Sequence, residues 1–192
     1  EKGIITKEDT GGLDLKFGNE EAYAKMPGLI AERKTRIGDL LAEGSLIAAR
    51  KIGKDTEKLV IHSKGCEYPA YDPRGSIGMA LAYATSDRGA DHNRAWPVAS
   101  DAYGSGDPWS TEGKAAICHD EQILKSFKWS MIFCDFYGVN PANQAMYFTA
   151  VTGIPADEEW LKAVGTRIWN LVRAFNVREG FSKKDDTMAE RM

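Results

Sequence analysis

Apolar residues in this chain recur at three- and four-residue spacing rather than alternating, so the pattern predicts helices and almost no sheet. "NEEAYAKMPGLIAERK" (19–34) opens on Asn19, a side-chain cap, followed by two glutamates that suit a helix N-terminus. Pro27 is expected to kink or interrupt that helix. "RIGDLLAEGSLIAARKIG" (36–53) sets Ile37, Leu40, Leu41, Gly44, Ile47 and Ala48 on one face, a single helix stopped by Gly53. "KLVIHSKG" (58–65) reads as a short strand or extended segment, and "YPAYDPRGS" (68–76) as a loop. Residues 76–86 are apolar with small side chains, a closely packed helix. After a polar loop at 95–110, Ser110 or Thr111 is expected to cap a long helix reaching about Tyr137. Asn140 and Pro141 open another helix. The last runs from about Asp157 to Asn176, with Leu161, Val164, Ile168, Leu171, Val172 and Phe175 on one face, and the tail "SKKDDTMAERM" is polar. The expected fold class is mainly α, an irregular multi-helix arrangement with at most a short extended segment near 58–63.

Composition narrows the function classes. The 192 residues are 43% hydrophobic and 28% charged, enough for a core in one domain or two small ones. A net charge of -3 argues against nucleic acid as a partner, which usually needs a basic face. No apolar run approaches the roughly 18 residues of a membrane span, and the polar N-terminus lacks a signal-peptide core. Cys66, Cys118 and Cys134 are far apart and form neither a CxxC pair nor a disulfide framework, so a reducing cytoplasm is the expected location. A start without Met and a stop at "MAERM" are read as the ends of a piece of a longer protein.

One stretch carries unusual chemistry. "YATSDRGADH" (83–92) begins as the end of an apolar helix and closes on Asp87, Arg88, Asp91 and His92, with Gly89 among them and Arg94 beyond. A histidine titrates near neutrality and suits acid–base work. The same residues also fit an ion-paired helix terminus with a structural histidine.

Three blocks, "GDLLAEGSLIAARKIG", "KGCEYPAYDPRGSIGMALAYATSDRGADHNRAW" and "RIWNLVRAFNVREGFSKKDDTMAERM", resemble in order and spacing the tungsten-containing aldehyde ferredoxin oxidoreductase family. The resemblance covers nearly the whole chain and is densest at 36–96 and 165–192. It implies a fold of that family's helical C-terminal type, domains 2 and 3. It implies that 1–192 is part of a larger oxidoreductase, with a possible sub-division into 1–109 and 110–192, lacking the N-terminal pterin-binding domain and the extreme C-terminus. It also implies tungsten (or molybdenum) on a bis-pterin cofactor, one [4Fe–4S] cluster, oxidation of small aldehydes or related carbonyl compounds to acids, electron transfer to ferredoxin or a similar carrier, and a possible homodimer. The isolated piece is expected to bind no cofactor and to be inactive. Low-potential reduction of aromatic thioesters on the same scaffold, or a helical structural or partner-binding module, remain the alternatives.

The same resemblance gives residues their roles. His92 matches the active-site histidine of the pattern ATS-x-RG-x-x-H. Arg94 matches a basic position near the pterin, with Arg88 beside it, where a guanidinium can bind phosphate or pterin oxygen. Gly89 would let backbone approach the cofactor. Cys134 falls where the family's D-x-x-G-L-C segment supplies the fourth cluster thiolate, although Trp129 replaces its Asp and Ile132 its Gly. A buried small hydrophobe is the other reading of Cys134. Cys66 and Cys118 are expected simply to be buried. "DTGGLD" (9–14) fits a pterin motif formally, but Asp14 lies too close to His92, so a structural loop is expected. Arg74 of "AYDPRG" is expected to clamp a carboxylate in the core, the alternative being a place in a substrate channel. Asp185 and Asp186 are expected in a solvated or salt-bridged turn.

Overall fold

The computed structural model describes residues 2–104 and 106–192. Among them are eight α-helices and one two-stranded hairpin, so the protein is mainly helical. The chain forms two compact units. The first reaches to Ile61 and takes in Ala189–Arg191; the second is His62–Met188 with Met192.

In the first unit α1 is Glu20–Glu32, α2 is Arg36–Leu41 and α3 is Ser45–Ile52. Asn19 caps α1 by accepting from the Ala22 N–H at 3.2 Å. α1 continues through Pro27 instead of stopping there. The bond the proline forgoes is to the carbonyl of Tyr23, a residue on the exposed side of the helix. The single helix expected over 36–53 is two, because the chain turns at Gly44 with φ +87°, a conformation that the shared periodicity of both halves conceals. The "DTGGLD" loop is tied down locally: Thr10 Oγ1 donates to the Leu13 carbonyl at 2.6 Å, and Asp9 pairs with Arg36 at 2.5 Å.

The second unit begins with β1 (His62–Ser63) and β2 (Cys66–Glu67), paired antiparallel with His62 opposite Glu67 and Ser63 opposite Cys66. The turn residues Lys64 and Gly65 both have positive φ, the tight reversal a two-residue hairpin needs. α4 (Ile77–Thr85), α5 (Val98–Tyr103), α6 (Lys114–Ser130), α7 (Pro141–Thr152) and α8 (Glu158–Arg178) follow. The loop expected at 95–110 thus contains the short helix α5. α6 starts later than expected because Ser110 Oγ is used by the Glu112 N–H at 3.1 Å, closing a turn ahead of the helix. Lys114 at its first position is drawn into a buried ion pair with Asp101 of α5, whose other carboxylate oxygen accepts from Ser76 Oγ at 2.5 Å. α6 ends at Ser130 rather than near Tyr137, where Ile132 takes φ +61°. Asn140 caps α7 as expected, and Asp157, where the last helix is expected to begin, caps α8, each accepting at 2.8 Å.

Two apolar clusters hold this unit. One, around Met79, Ala82, Tyr83, Ala90, Ala95 and Cys118, surrounds α4. The other, Phe127, Ala145 and Leu161, joins α6, α7 and α8, with Trp160 and Phe148 packed on it. α4 and α6 lie against each other, and α6 lies against α8. By packing, the boundary between the compact units falls at Ile61, and residue 109 lies between the packed helices α4 and α6. The segment after α8 returns to the hairpin, where Ser63 Oγ donates to the Thr187 carbonyl at 2.9 Å.

Candidate functional site

The site is built on the turn that leaves α4. Ser76 caps that helix and its last turn closes when the Ser86 N–H donates to the Ala82 carbonyl at 2.9 Å. The next residues turn sharply at Gly89, φ +100°. A Cβ there would lie 2.5 Å from Cys66 Cβ and 2.6 Å from the Ser63 carbonyl oxygen. The absence of a side chain at Gly89 thus lets the turn pack closely against the hairpin. From α8, the Asn176 amide donates to the Asp87 carbonyl at 2.6 Å and fixes the other side of the turn.

His92 is half-buried, and its ring lies on that of Tyr71, centroids 5.3 Å apart. Tyr71 is held in turn by Tyr83 Oη, which donates to its carbonyl at 3.0 Å. Burial raises the pKa of the Tyr83 phenol, with Tyr71 and Tyr68 adding to the effect, so it stays protonated as that donor. His92, Arg88, Asp91, Cys66, Glu67 and Tyr68 line a cavity of about 350 Å³. Burial pushes the Cys66 thiol up, reinforced by Glu67 and Asp91, so this wall of the cavity is thiol rather than thiolate.

Each arginine has its own carboxylate. Arg88 pairs with Asp91, and Arg94 Nε meets Asp87 Oδ1 at 2.7 Å in an ion pair off the hydrogen-bond axis. Burial lowers the basicity of Arg94, with Asp87 acting against it. Both guanidiniums lie over Trp129 of α6. The sequence marks Trp129 only as a departure from a motif; its partners lie more than thirty residues upstream, and local pattern carries no signal of them. Tyr71 is likewise hidden in a stretch that reads as a plain loop.

Cys134 stands apart on the loop after α6 and is exposed. Asp135 anchors that loop, its carboxylate accepting from Lys125 Nζ at 2.9 Å and its carbonyl from Lys128 Nζ at 2.7 Å. Phe136 meets the Trp96 ring edge-on at 6.1 Å, and Trp96 meets Tyr71 at 6.2 Å. A run of ring contacts therefore joins the Cys134 loop to His92. Arg74 pairs with Asp72 two residues away on the surface, at 2.6 Å, and not with a carboxylate of the core.

The model for aldehyde ferredoxin oxidoreductase, domains 2 and 3, matches residues 1–192. This chain belongs to the aldehyde ferredoxin oxidoreductase family. It is 32% identical over its whole length to a tungsten-containing aldehyde ferredoxin oxidoreductase of Pyrococcus abyssi, covering 33% of that protein. It is 33% identical over 90% of its length to an aliphatic sulfonate oxidoreductase, WOR-like subunit, of Pyrococcus furiosus, covering 26% of it. The chain thus spans about a third of the length of the curated relatives it matches. Among solved structures it is similar to the active-site complex BamBC of benzoyl coenzyme A reductase in complex with 1,5-dienoyl-CoA. That similarity has a TM-score of 0.73 at 21% identity and covers 99% of this chain and 35% of that one, a likeness of fold.

The turn has chemistry that fits a pterin. Ser86 Oγ and Trp96 Nε1 are buried and find no hydrogen-bond partner among the described residues. Buried polar groups are ordinarily satisfied, and two unpaired donors suit a heterocycle rich in acceptor atoms. The iron–sulfur cluster fits less well. Among the described residues no three His, Cys, Asp or Glu side chains converge as a metal site, and Cys134 can offer a single thiolate.

Proposed function

We propose that this chain is the helical C-terminal part of a tungsten (or molybdenum) bis-pterin, iron–sulfur oxidoreductase. The whole enzyme oxidises aldehydes to carboxylic acids and passes electrons to ferredoxin or a similar carrier. The observation that carries this reading is His92 in the wall of a cavity of about 350 Å³, its ring set by Tyr71 and flanked by Arg88. The relatives' names and the match of the family model over every residue support the same reading.

Oxidation of an aldehyde with water yields an acid, two electrons and two protons. The bound metal–pterin group would supply the electron acceptor. His92 takes up a proton at an imidazole nitrogen as oxygen adds to the carbonyl carbon, and the Tyr71 ring keeps that imidazole facing the cavity. Arg88, at the exposed edge, holds a polar oxygen of substrate or cofactor. Arg94, kept in place by Asp87, would hold a pterin or phosphate oxygen of the cofactor. Cys134 would offer one thiolate to an iron–sulfur cluster, the other ligands being supplied by the rest of the enzyme.

The test is metal analysis and the reduced-state paramagnetic spectrum of the full-length protein purified without oxygen. Tungsten or molybdenum with iron is the expected result. His92→Ala then loses ~10²–10⁴-fold in turnover with the metals retained, and Cys134→Ala loses the cluster signal. A folded protein holding neither metal after reconstitution overturns the reading and leaves a structural or partner-binding module.

A further inference from the structure

Trp129 lies beneath two positive charges at once. Arg94 Cζ is 4.1 Å from the centroid of its ring and Arg88 Cζ is 5.6 Å away. Two guanidiniums over one ring repel, and each is partly neutralised by its own carboxylate, Asp87 or Asp91. For Arg88, whose side chain is 55% exposed, such pairing in water is weak. For Arg94, whose side chain is 20% exposed, desolvation opposes the charge, and the negative face of an indole offsets it most strongly when water is excluded. The ring comes from α6 and the arginines from the turn after α4, so the contact joins two elements remote in sequence.

We infer that Trp129 is a positioning residue, the shared platform that holds Arg88 and Arg94 beside the His92 cavity. The inference rests on the proposed role of that cavity, and Trp129 acts through the arginines rather than on substrate. The ring gives both guanidiniums a surface that orders them without adding charge.

Two variants test it. Trp129→Leu keeps apolar bulk and removes the ring; Trp129→Phe keeps a smaller ring. In the full chain, the Nε–H signals of Arg88 and Arg94, assigned through Arg88→Lys and Arg94→Lys, are displaced upfield by the ring current. Trp129→Phe reduces that displacement and Trp129→Leu abolishes it, with helical circular dichroism unchanged. Should the leucine variant lose its helical signal, the phenylalanine variant decides, and an undiminished displacement there overturns the inference. In the metal-loaded full-length protein, Trp129→Leu raises KM for aldehyde about tenfold with kcat within about twofold, and Trp129→Phe restores most of it. Arginine signals indifferent to Trp129 overturn the inference even if His92→Ala abolishes turnover. Signals that depend on Trp129 support it even if His92→Ala does not.

Discussion

Lys64 of the hairpin turn and Asp186 of the tail, far apart in sequence, meet as an ion pair at 2.8 Å, with the lysine side chain only 3% exposed. The same ammonium donates to the Ala84 carbonyl near the end of α4, and Arg173 of α8 grips the same carboxylate with contacts of 3.0 and 2.8 Å. One carboxylate thus ties the hairpin, α8 and the polar tail together beside the turn that carries His92. Asp186→Asn leaves a buried cation poorly compensated and is expected to cost about 3 kcal/mol, read as a lower urea midpoint with an unchanged slope. Lys64→Met, which removes the charge with its partner still held by Arg173, is expected to cost less.

The same triad gives stability an acid limb. Burial raises the Asp186 pKa, but hydrogen bonds from Arg173 and Lys64 outweigh it and hold the carboxyl below its ordinary value. The folded state therefore binds this proton more weakly than the unfolded state. Its contribution is complete above an unfolded carboxyl pKa of about 4 and is lost as pH falls through the lower folded value. Urea midpoints of the wild type are expected to fall below that pH, and those of Asp186→Asn to fall less. Parallel curves would remove Asp186 as the cause.

Gly89→Ala tests the packing of the turn. The added methyl meets both Cys66 Cβ and the Ser63 carbonyl oxygen well inside contact distance, and φ +100° is a conformation alanine avoids. Both effects act together, and a loss of roughly 3 kcal/mol is expected from thermal unfolding. Tyrosine and histidine signals of Tyr71 and His92 are expected to shift in the variant, because the turn must move to admit the methyl.

Local chemistry was easy to read from the sequence and tertiary partners were not. The caps Asn19 and Asn140 act within three residues of themselves, and each is where its pattern puts it. The break at Gly44 leaves no mark in the pattern because both flanking helices share one apolar period. The stripe on the last helix was legible, but Leu171 at 72% exposure and Phe175 at 52% lie in the open, since periodicity tells which face is apolar and not what covers it. In the candidate site, the density of charge at 87–94 is a local feature that the sequence shows directly. The rings of Tyr71 and Trp129 that shape it come from distant segments, and nothing in their neighbours' spacing reports that. Arg74, expected to clamp a carboxylate of the core, is satisfied at the surface by Asp72, a partner two residues away that the motif already contains.

Ile132 is the strained position of the Cys134 loop. A β-branched residue at φ +61° suffers contacts that glycine does not. Its side chain is 92% exposed, so little burial is lost on removing it. Ile132→Gly is therefore expected to stabilise the protein by about 1 kcal/mol, against the usual direction of a glycine substitution. Ile132→Ala, which keeps the Cβ, is expected to gain much less. Equal gains from both would place the cost in the exposed side chain instead of in the backbone.

The three cysteines are expected to separate by reactivity. Cys134 is exposed, Cys66 is half-buried and Cys118 is buried, its thiol donating to the Gly78 carbonyl at 3.2 Å. Burial pushes Cys118 up to about 12, with Glu121 and Asp101 adding to it, so almost no thiolate forms near neutrality. Burial also raises Cys66. Alkylation of the metal-free chain near pH 8, followed by peptide mapping, should label Cys134 first and Cys66 more slowly. Cys118 should react only once denaturant opens the α4 cluster, because both its accessibility and its ionisation are set by that cluster. Met79→Ala, which opens a cavity there, is expected to speed Cys118 labelling while leaving the Cys134 rate unchanged. Early labelling of Cys118 in the wild type would mean that the packing of α4 against α6 opens readily, which would also loosen the turn that carries His92.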